Sequence, residues 1–248
     1  MRAASGPSGN QSGQVEVETA VVLPVAVFLL LGLIQLGLLH QARIIAEYAA
    51  YRAARIGAVY NMDTGKMEAA AVAAMLPILS YDNGGAEVLA RTDTASNWAR
   101  KYMKPGFRMN RMLDMPMFKY AEIVICGPLK KDVQSLTYTA EGKQYVPFDN
   151  PEVAGGSGAK TKLRVQLTLN YRLIIPFADW VIYRMWKGRE ITEDLHLDMG
   201  GRGPSFSFDR YDMAAMAGVH IIPIRAQYAM KLHSDVPIDR FPGSNSCE

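Results

Sequence analysis

The sequence predicts an α+β protein in which a long N-terminal transmembrane helix is followed by short helices and a small antiparallel sheet. Three observations predict it. Residues 19–39 hold no charge, a helical pattern continues from there to Gly57 without a breaker, and two later segments alternate apolar and polar side chains. Over 248 residues, 49% apolar and 21% charged is ordinary for a chain that buries a core. The net charge of +3 comes from Lys and Arg scattered among Asp and Glu. That describes a solvated surface and argues against a nucleic-acid partner.

Residues 1–13 (MRAASGPSGNQSG) are rich in Gly and Ser and almost free of apolar side chains, so they read as a disordered leader. Residues 19–39 (TAVVLPVAVFLLLGLIQLGLL) meet the roughly 20 residues a helix needs to cross a bilayer. A cleaved secretory signal would show a basic n-region and a shorter apolar run. Here the leader holds only Arg2, and LLHQA at the end of the run is a poor cut site. Pro24 falls in the first turns of the helix, where proline is least disruptive.

The helical pattern then continues through HQARIIAEYAAYRAARIGAVY, with an i,i+4 pair of Arg43 and Glu47. Ala42, Ala46, Ala49, Ala50 and Ala53 form a small-residue stripe on one side, expected to pack against neighbouring stems. A helix over residues 17–58 is about 60 Å long, about twice the hydrocarbon thickness, so half of it projects from the membrane. The expected organisation is a leader over residues 1–13, a span and stem over 14–60, and an α+β head over 61–248.

In the head, residues 61–65 read as a turn and KMEAAAVAAMLPIL as a second helix ending near Pro77. A third helix is expected near residues 94–103, with Thr94 as N-cap. AEIVI (121–125) reads as a strand and SLTYTAEGKQYV as a hairpin turning at Glu141 and Gly142. In KLRVQLTLNYRL, Leu163, Val165, Leu167, Leu169, Tyr171 and Leu173 alternate with polar residues, the pattern of a half-buried strand. PIRAQYAMKL (223–232) repeats the pattern and is expected to pair with it in one antiparallel sheet. Between them, PFADWVIYRMW is an aromatic amphipathic segment and residues 197–210 a Gly-rich loop.

The segment GQVEVETAVVLP (13–24) places a glycine five residues before Glu18 and directly ahead of the uncharged run. It resembles the prepilin signal, which a membrane peptidase cuts after the glycine. The Gly, the Glu and the early Leu-Pro pair look like TadE-like pseudopilins of tight-adherence (Flp, type IVc) pilus systems. The likeness extends through AEYAAYRAARIGA and the next Ala-rich helix, over about the first 80 residues. Glu16 and Thr19 depart from the usual pattern, as a second acid and as a polar residue where an apolar one is common.

The resemblance implies cutting between Gly13 and Gln14, with Glu18 at the fifth mature position. It implies an inner-membrane, single-pass subunit with a cytoplasmic N-terminus and a periplasmic head. Its partners would be prepilin peptidase, other pilin-like subunits and their assembly machinery, and membrane lipid. By charge alone, Arg43, Arg52 and Arg55 after the span against Arg2 before it would put the head in the cytoplasm. The prepilin-type reading takes them as part of an unbroken stem. Glu16 and Glu18 can serve as dipole compensation, stabilising a helix start by about 0.3–1 kcal/mol. A carboxylate deep in a bilayer costs about 2.5–3.5 kcal/mol, so the functional reading gives Glu18 a positive partner that sets assembly register.

No enzyme is expected. In AGGSGAKT (154–161) the framing positions of a phosphate loop are Ala154 and Ala159, and no apolar strand precedes it. His40, His196, His220 and His233 are dispersed without metal spacing, so no cofactor is expected either. Cys126 and Cys247 could pair in a periplasmic head, or stay as two free thiols. Two functions stand: a minor pilin or pseudopilin subunit, and an uncleaved bitopic scaffold of a secretion complex.

Overall fold

The computed structural model describes residues 12–84, 87–140, 142–149, 162–197 and 209–247. Residues 1–11 of the expected leader, Glu141 of the expected hairpin turn, the AGGSGAKT segment and most of the expected Gly-rich loop lie outside the described residues. The fold is α+β, with a long apolar N-terminal helix, further helices and small antiparallel sheets.

Helix α1 runs over Ser12–Val59 and includes Pro24. It passes through Gly57 because that glycine faces the head: an added Cβ would lie 2.8 Å from Met67 Sδ and 2.9 Å from Leu163 Cδ2. Beyond it the chain reverses through Asn61 and Met62, both at positive φ (56° and 57°). The Ala58 carbonyl, orphaned by the helix end, accepts from His233 N–H and Ser234 Oγ at 3.0 Å each. Helix α2 (Thr64–Met75) starts on Asp63, whose carboxylate accepts from Lys66 N–H, and stops just before Pro77.

After the two-residue strands β1 (Tyr81–Asp82) and β2 (Glu87–Val88) come the short helices α3 (Ala95–Tyr102, capped by Thr94) and α4 (Pro105–Arg108). The main sheet follows from β3 (Ala121–Gly127), β6 (Lys162–Arg172) and β7 (Ile221–Lys231), in the order β3-β6-β7 and antiparallel throughout. A second sheet, of β4 (Tyr138–Ala140), β5 (Lys143–Val146) and β8 (Val236–Pro237), forms between β3 and β6 and takes its last strand from the C-terminal segment. One small sheet and a separate hairpin at β4 and β5 were expected; the pairing of β8 with that hairpin and the small β1-β2 sheet were not, because a two-residue strand carries no periodicity to read. Among the described residues three more α-helices follow: α5 (Lys130–Val133), α6 (Ala178–Leu197) and α7 (Arg210–Met216).

The core forms where α1, α2 and the main sheet meet. Leu163, Val165, Leu167 and Leu169 are fully buried on the face of β6 that meets α1. The alternation predicts solvent on the opposite face, yet Gln166, Asn170 and Arg172 are buried there. That face is covered toward the end of β6, and most of its polar groups meet protein partners instead of water, Arg172 Nη1 being buried without a hydrogen bond among the described residues. Asn170 Oδ1 accepts from Tyr211 Oη at 3.0 Å, and its Nδ2 donates to the Lys119 carbonyl at 2.7 Å. Arg172 is held between Glu87 and Asp114. A disulfide joins Cys126 to Cys247, 121 residues apart, and ties the C-terminal segment to β3.

Candidate functional site

The residues singled out in the sequence fall on one helix, in three zones. Gly13 and Gln14 lie in its first turn, and Glu16 and Glu18 follow as exposed side chains. From Val21 to Leu30 the helix is exposed on every side, with Leu23 at 61% and Leu29 at 59%. In water such a surface would be a large penalty, and in hydrocarbon it is matched to its surroundings. Helix α1 is long and apolar enough to cross a membrane.

The second zone begins at Gln35, which is fully buried although it belongs to the uncharged run. Its Oε1 accepts a hydrogen bond from the Ile175 N–H at 3.0 Å. Ile175 belongs to the loop between β6 and α6, so the head takes hold of α1 before the apolar run ends. Leu39, the last residue of that run, packs against the core of the head.

The third zone is the alanine stripe. Ala42, Ala46, Ala49 and Ala53 do form a stripe, but all four are fully buried within this chain. They face α2 and the main sheet, together with Ala50 and Ala54. Small side chains let two helices and a sheet approach closely, and here that approach closes the head onto its own stem. The side of the stem left outward carries Ile44 (54% exposed), Tyr48 (52%), the exposed pair Arg43–Glu47 at 3.7 Å, and Arg52 and Arg55. The sequence signal for this exchange was available: a stripe of alanines in a helix followed at once by a second Ala-rich helix reads equally as an intramolecular hairpin.

Along α1 the zones follow in order: a first turn with Gly13 and Gln14, an exposed apolar stretch, and a stem packed into its own head. Residues 13–55 match the TadE-like protein family. No curated protein matches the chain, and no solved structure does. The TadE-like segment covers Gly13, Glu16, Glu18, the apolar run and the stem, and stops four residues before the end of α1. That family is a structural one, and the match supports a part in tight-adherence pilus assembly. The head beyond residue 55 lies outside it.

Two polar clusters in the head are structural. Arg210 pairs bidentately with Glu122 at 2.8 and 3.0 Å, and the carboxylate holds the guanidinium firmly charged. Around Arg172, burial raises the Glu87 carboxyl above its ordinary range and pushes Tyr120 up to about 12. Among the described residues no group of three or more His, Cys, Asp or Glu could hold a metal ion.

Proposed function

We propose that this chain is a minor pilin or pseudopilin of a tight-adherence pilus or a related secretion filament. Before assembly its span parks it in the inner membrane, N-terminus in the cytoplasm and head in the periplasm. Prepilin peptidase cuts after Gly13 and frees the amine of Gln14. Extraction then exchanges lipid around residues 19–39 for neighbouring helices, with Glu18 selecting register through a neighbour's amine.

The observation that carries this reading is the match of residues 13–55 to the TadE-like family. Two features support it further. The apolar stretch is bare on all sides up to Leu30, as a helix that trades lipid for protein requires. The Cys126–Cys247 disulfide suits an oxidising compartment, which favours a periplasmic head over the cytoplasmic one suggested by the arginines. Neighbouring stems then meet through Ile44, Tyr48 and the charges beside them, since the alanines are used within the chain.

Mass spectrometry after expression with a cognate peptidase tests the processing step: the mature chain should begin at Gln14. A chain in the assembled complex that still carries residues 1–13 would favour the uncleaved scaffold. A reporter active only outside the cytoplasm, fused after Glu248, should be active. Activity of a cytoplasmic reporter alone overturns the orientation.

A further inference from the structure

The geometry points to a second membrane contact in this chain: the β6–α6 loop and the first turn of α6, around Phe177 and Trp180, dock into the leaflet on the head side of the bilayer that α1 crosses. The inference rests on reading residues 19–39 as a span. At about 1.5 Å per residue that run is about 30 Å long, the thickness of a hydrocarbon core. Gln35 lies four residues inside its end, about 6 Å along the axis. The hydrogen bond from Ile175 N–H to Gln35 Oε1 fixes the loop about 6 Å inside the hydrocarbon edge, within side-chain reach of the boundary between acyl chains and headgroups.

What the loop presents suits that boundary. Phe177 is 74% exposed and Trp180 is 54% exposed, while Pro176 between Ile175 and Phe177 is exposed as well. Trp side chains concentrate at membrane–water interfaces, where an apolar ring meets lipid and its N–H meets water, and Phe177 beside Trp180 adds an apolar ring that lipid can receive. Arg184, one turn further on, is exposed with its guanidinium 5.7 Å from the Trp180 ring, within reach of a lipid phosphate.

The aromatics are also held outward. Phe177 sits at φ 68°, a conformation costly for a residue with a Cβ. On the opposite side of α6, Ala178 and Tyr183 are buried, and Asp179 pairs with His220 Nδ1 at 2.9 Å. Backbone hydrogen bonds of the turn, Asp179 N–H to the Ile175 carbonyl at 3.0 Å among them, hold Phe177 in this conformation, and an aromatic held outward on a pinned scaffold suits a partner that receives the ring. Because the loop is bonded to the span itself, that partner is the bilayer.

The full chain reconstituted into vesicles of phosphatidylcholine and phosphatidylglycerol, with brominated phosphatidylcholine as quencher, tests this. Wild-type tryptophan fluorescence should be quenched, more by bromines near the headgroup than by bromines at the chain end. Trp180→Phe should lose most of that quenching, leaving Trp98 and Trp186 as reporters remote from lipid. Phe177→Asn, which tolerates the left-handed backbone, should keep the fold and weaken quenching of Trp180. Protein that stays with the vesicles through an alkaline wash, yet is quenched equally with and without Trp180, overturns the docking alone. Protein released by the wash overturns the span, and the docking with it. A benzophenone amino acid in place of Phe177 should cross-link to lipid; capture of a second copy instead gives the surface to that copy and overturns the proposal.

Discussion

Gln35 of the apolar run and Ile175 of the head are joined by a hydrogen bond of 3.0 Å, Ile175 N–H donating to the side-chain Oε1. A head attached only at the end of its stem could swing about the membrane surface; this bond fixes it to the span. Gln35→Leu keeps the bulk and removes the acceptor, leaving the Ile175 N–H unpaired. Stability should fall by about 0.5–1.5 kcal/mol, the usual net contribution of one hydrogen bond, because Ile175 is half-buried and the substitution also removes the buried, unsatisfied Gln35 Nε2. Amide exchange at Ile175 should accelerate in step. Unchanged exchange would show that the bond does not hold the loop.

The buried stripe and the outward face of the stem should respond oppositely. Ala49→Leu forces extra carbons between α1 and the head, where Ala49 is 0% exposed, and should lower stability by about 1–3 kcal/mol. Tyr48→Ala, one residue away and outward, should leave the melting temperature of the full chain in detergent nearly unchanged and reduce its incorporation into complexes. If Ala49→Leu melts like the wild type, the stripe is not the packing surface the fold makes of it.

The elements with a clear period were legible in the sequence, and the elements set by distant partners were not. The alternation of residues 162–173 gave β6 and its pairing with β7, and Pro77 gave the end of α2. The polar side of β6 was misjudged because a sheet face is dry or wet according to what lies above it. Asn170 and Arg172 are buried by partners at Tyr211, Asp114 and Glu87, far off in sequence. Helix α7 was missed, although Asp209 and Asp212 form a capping box at its start. The motif around Gly13 and Glu18 was readable since local spacing carries it. The alanine stripe was readable as a contact surface, but its partner was a matter of tertiary structure. Gln35 carried a signal that went unused, as an amide inside an uncharged span needs a partner.

Lys101 should make stability depend on pH. Its side chain is buried, with Nζ donating to the Ala90 carbonyl at 3.2 Å, and burial pulls its pKa down to about 8 from 10.5. Between those values the unfolded chain holds a proton that the folded chain has released, so stability rises with pH across that window. Tyr120 and Tyr171, pushed up to about 12 by burial, act the other way once pH passes their ordinary value of 10.0. Lys101→Met should therefore raise the melting temperature at neutral pH and abolish the rise between pH 8 and 10. A wild-type melting temperature flat over that interval contradicts the assignment.

The Cys126–Cys247 bond closes a loop of 121 residues. In the chain-entropy description, a crosslink over so long a loop stabilises by about 4–5 kcal/mol, and removal of native disulfides typically costs about 2–5 kcal/mol. Cys247→Ser should therefore lower stability within that range under oxidising conditions and cause no change once the wild type is reduced. Equal stabilities before and after reduction would show that β3 and the C-terminal segment are held by their other contacts.

Glu18 is expected to act in assembly and nowhere else. It is exposed on a helix that is bare from Val21 to Leu30, and α1 carries no part of the head at this level. In lipid a carboxylate is unfavourable by about 2.5–3.5 kcal/mol near the helix centre, and less toward the ends. Opposite charges attract far more strongly in a low dielectric than at a wet surface, so a neighbour's free amine can offset that penalty, while a shifted register leaves both charges exposed to it. Glu18→Gln or Glu18→Ala should leave membrane insertion and the melting of the head intact, because the substitution removes an unfavourable group from the lipid state. Incorporation into complexes should drop. Glu16→Gln, two residues closer to water, should have the milder effect. Equal incorporation of Glu18→Ala and wild type, measured by co-purification with the assembled complex, would reduce Glu18 to an acid that compensates the helix start.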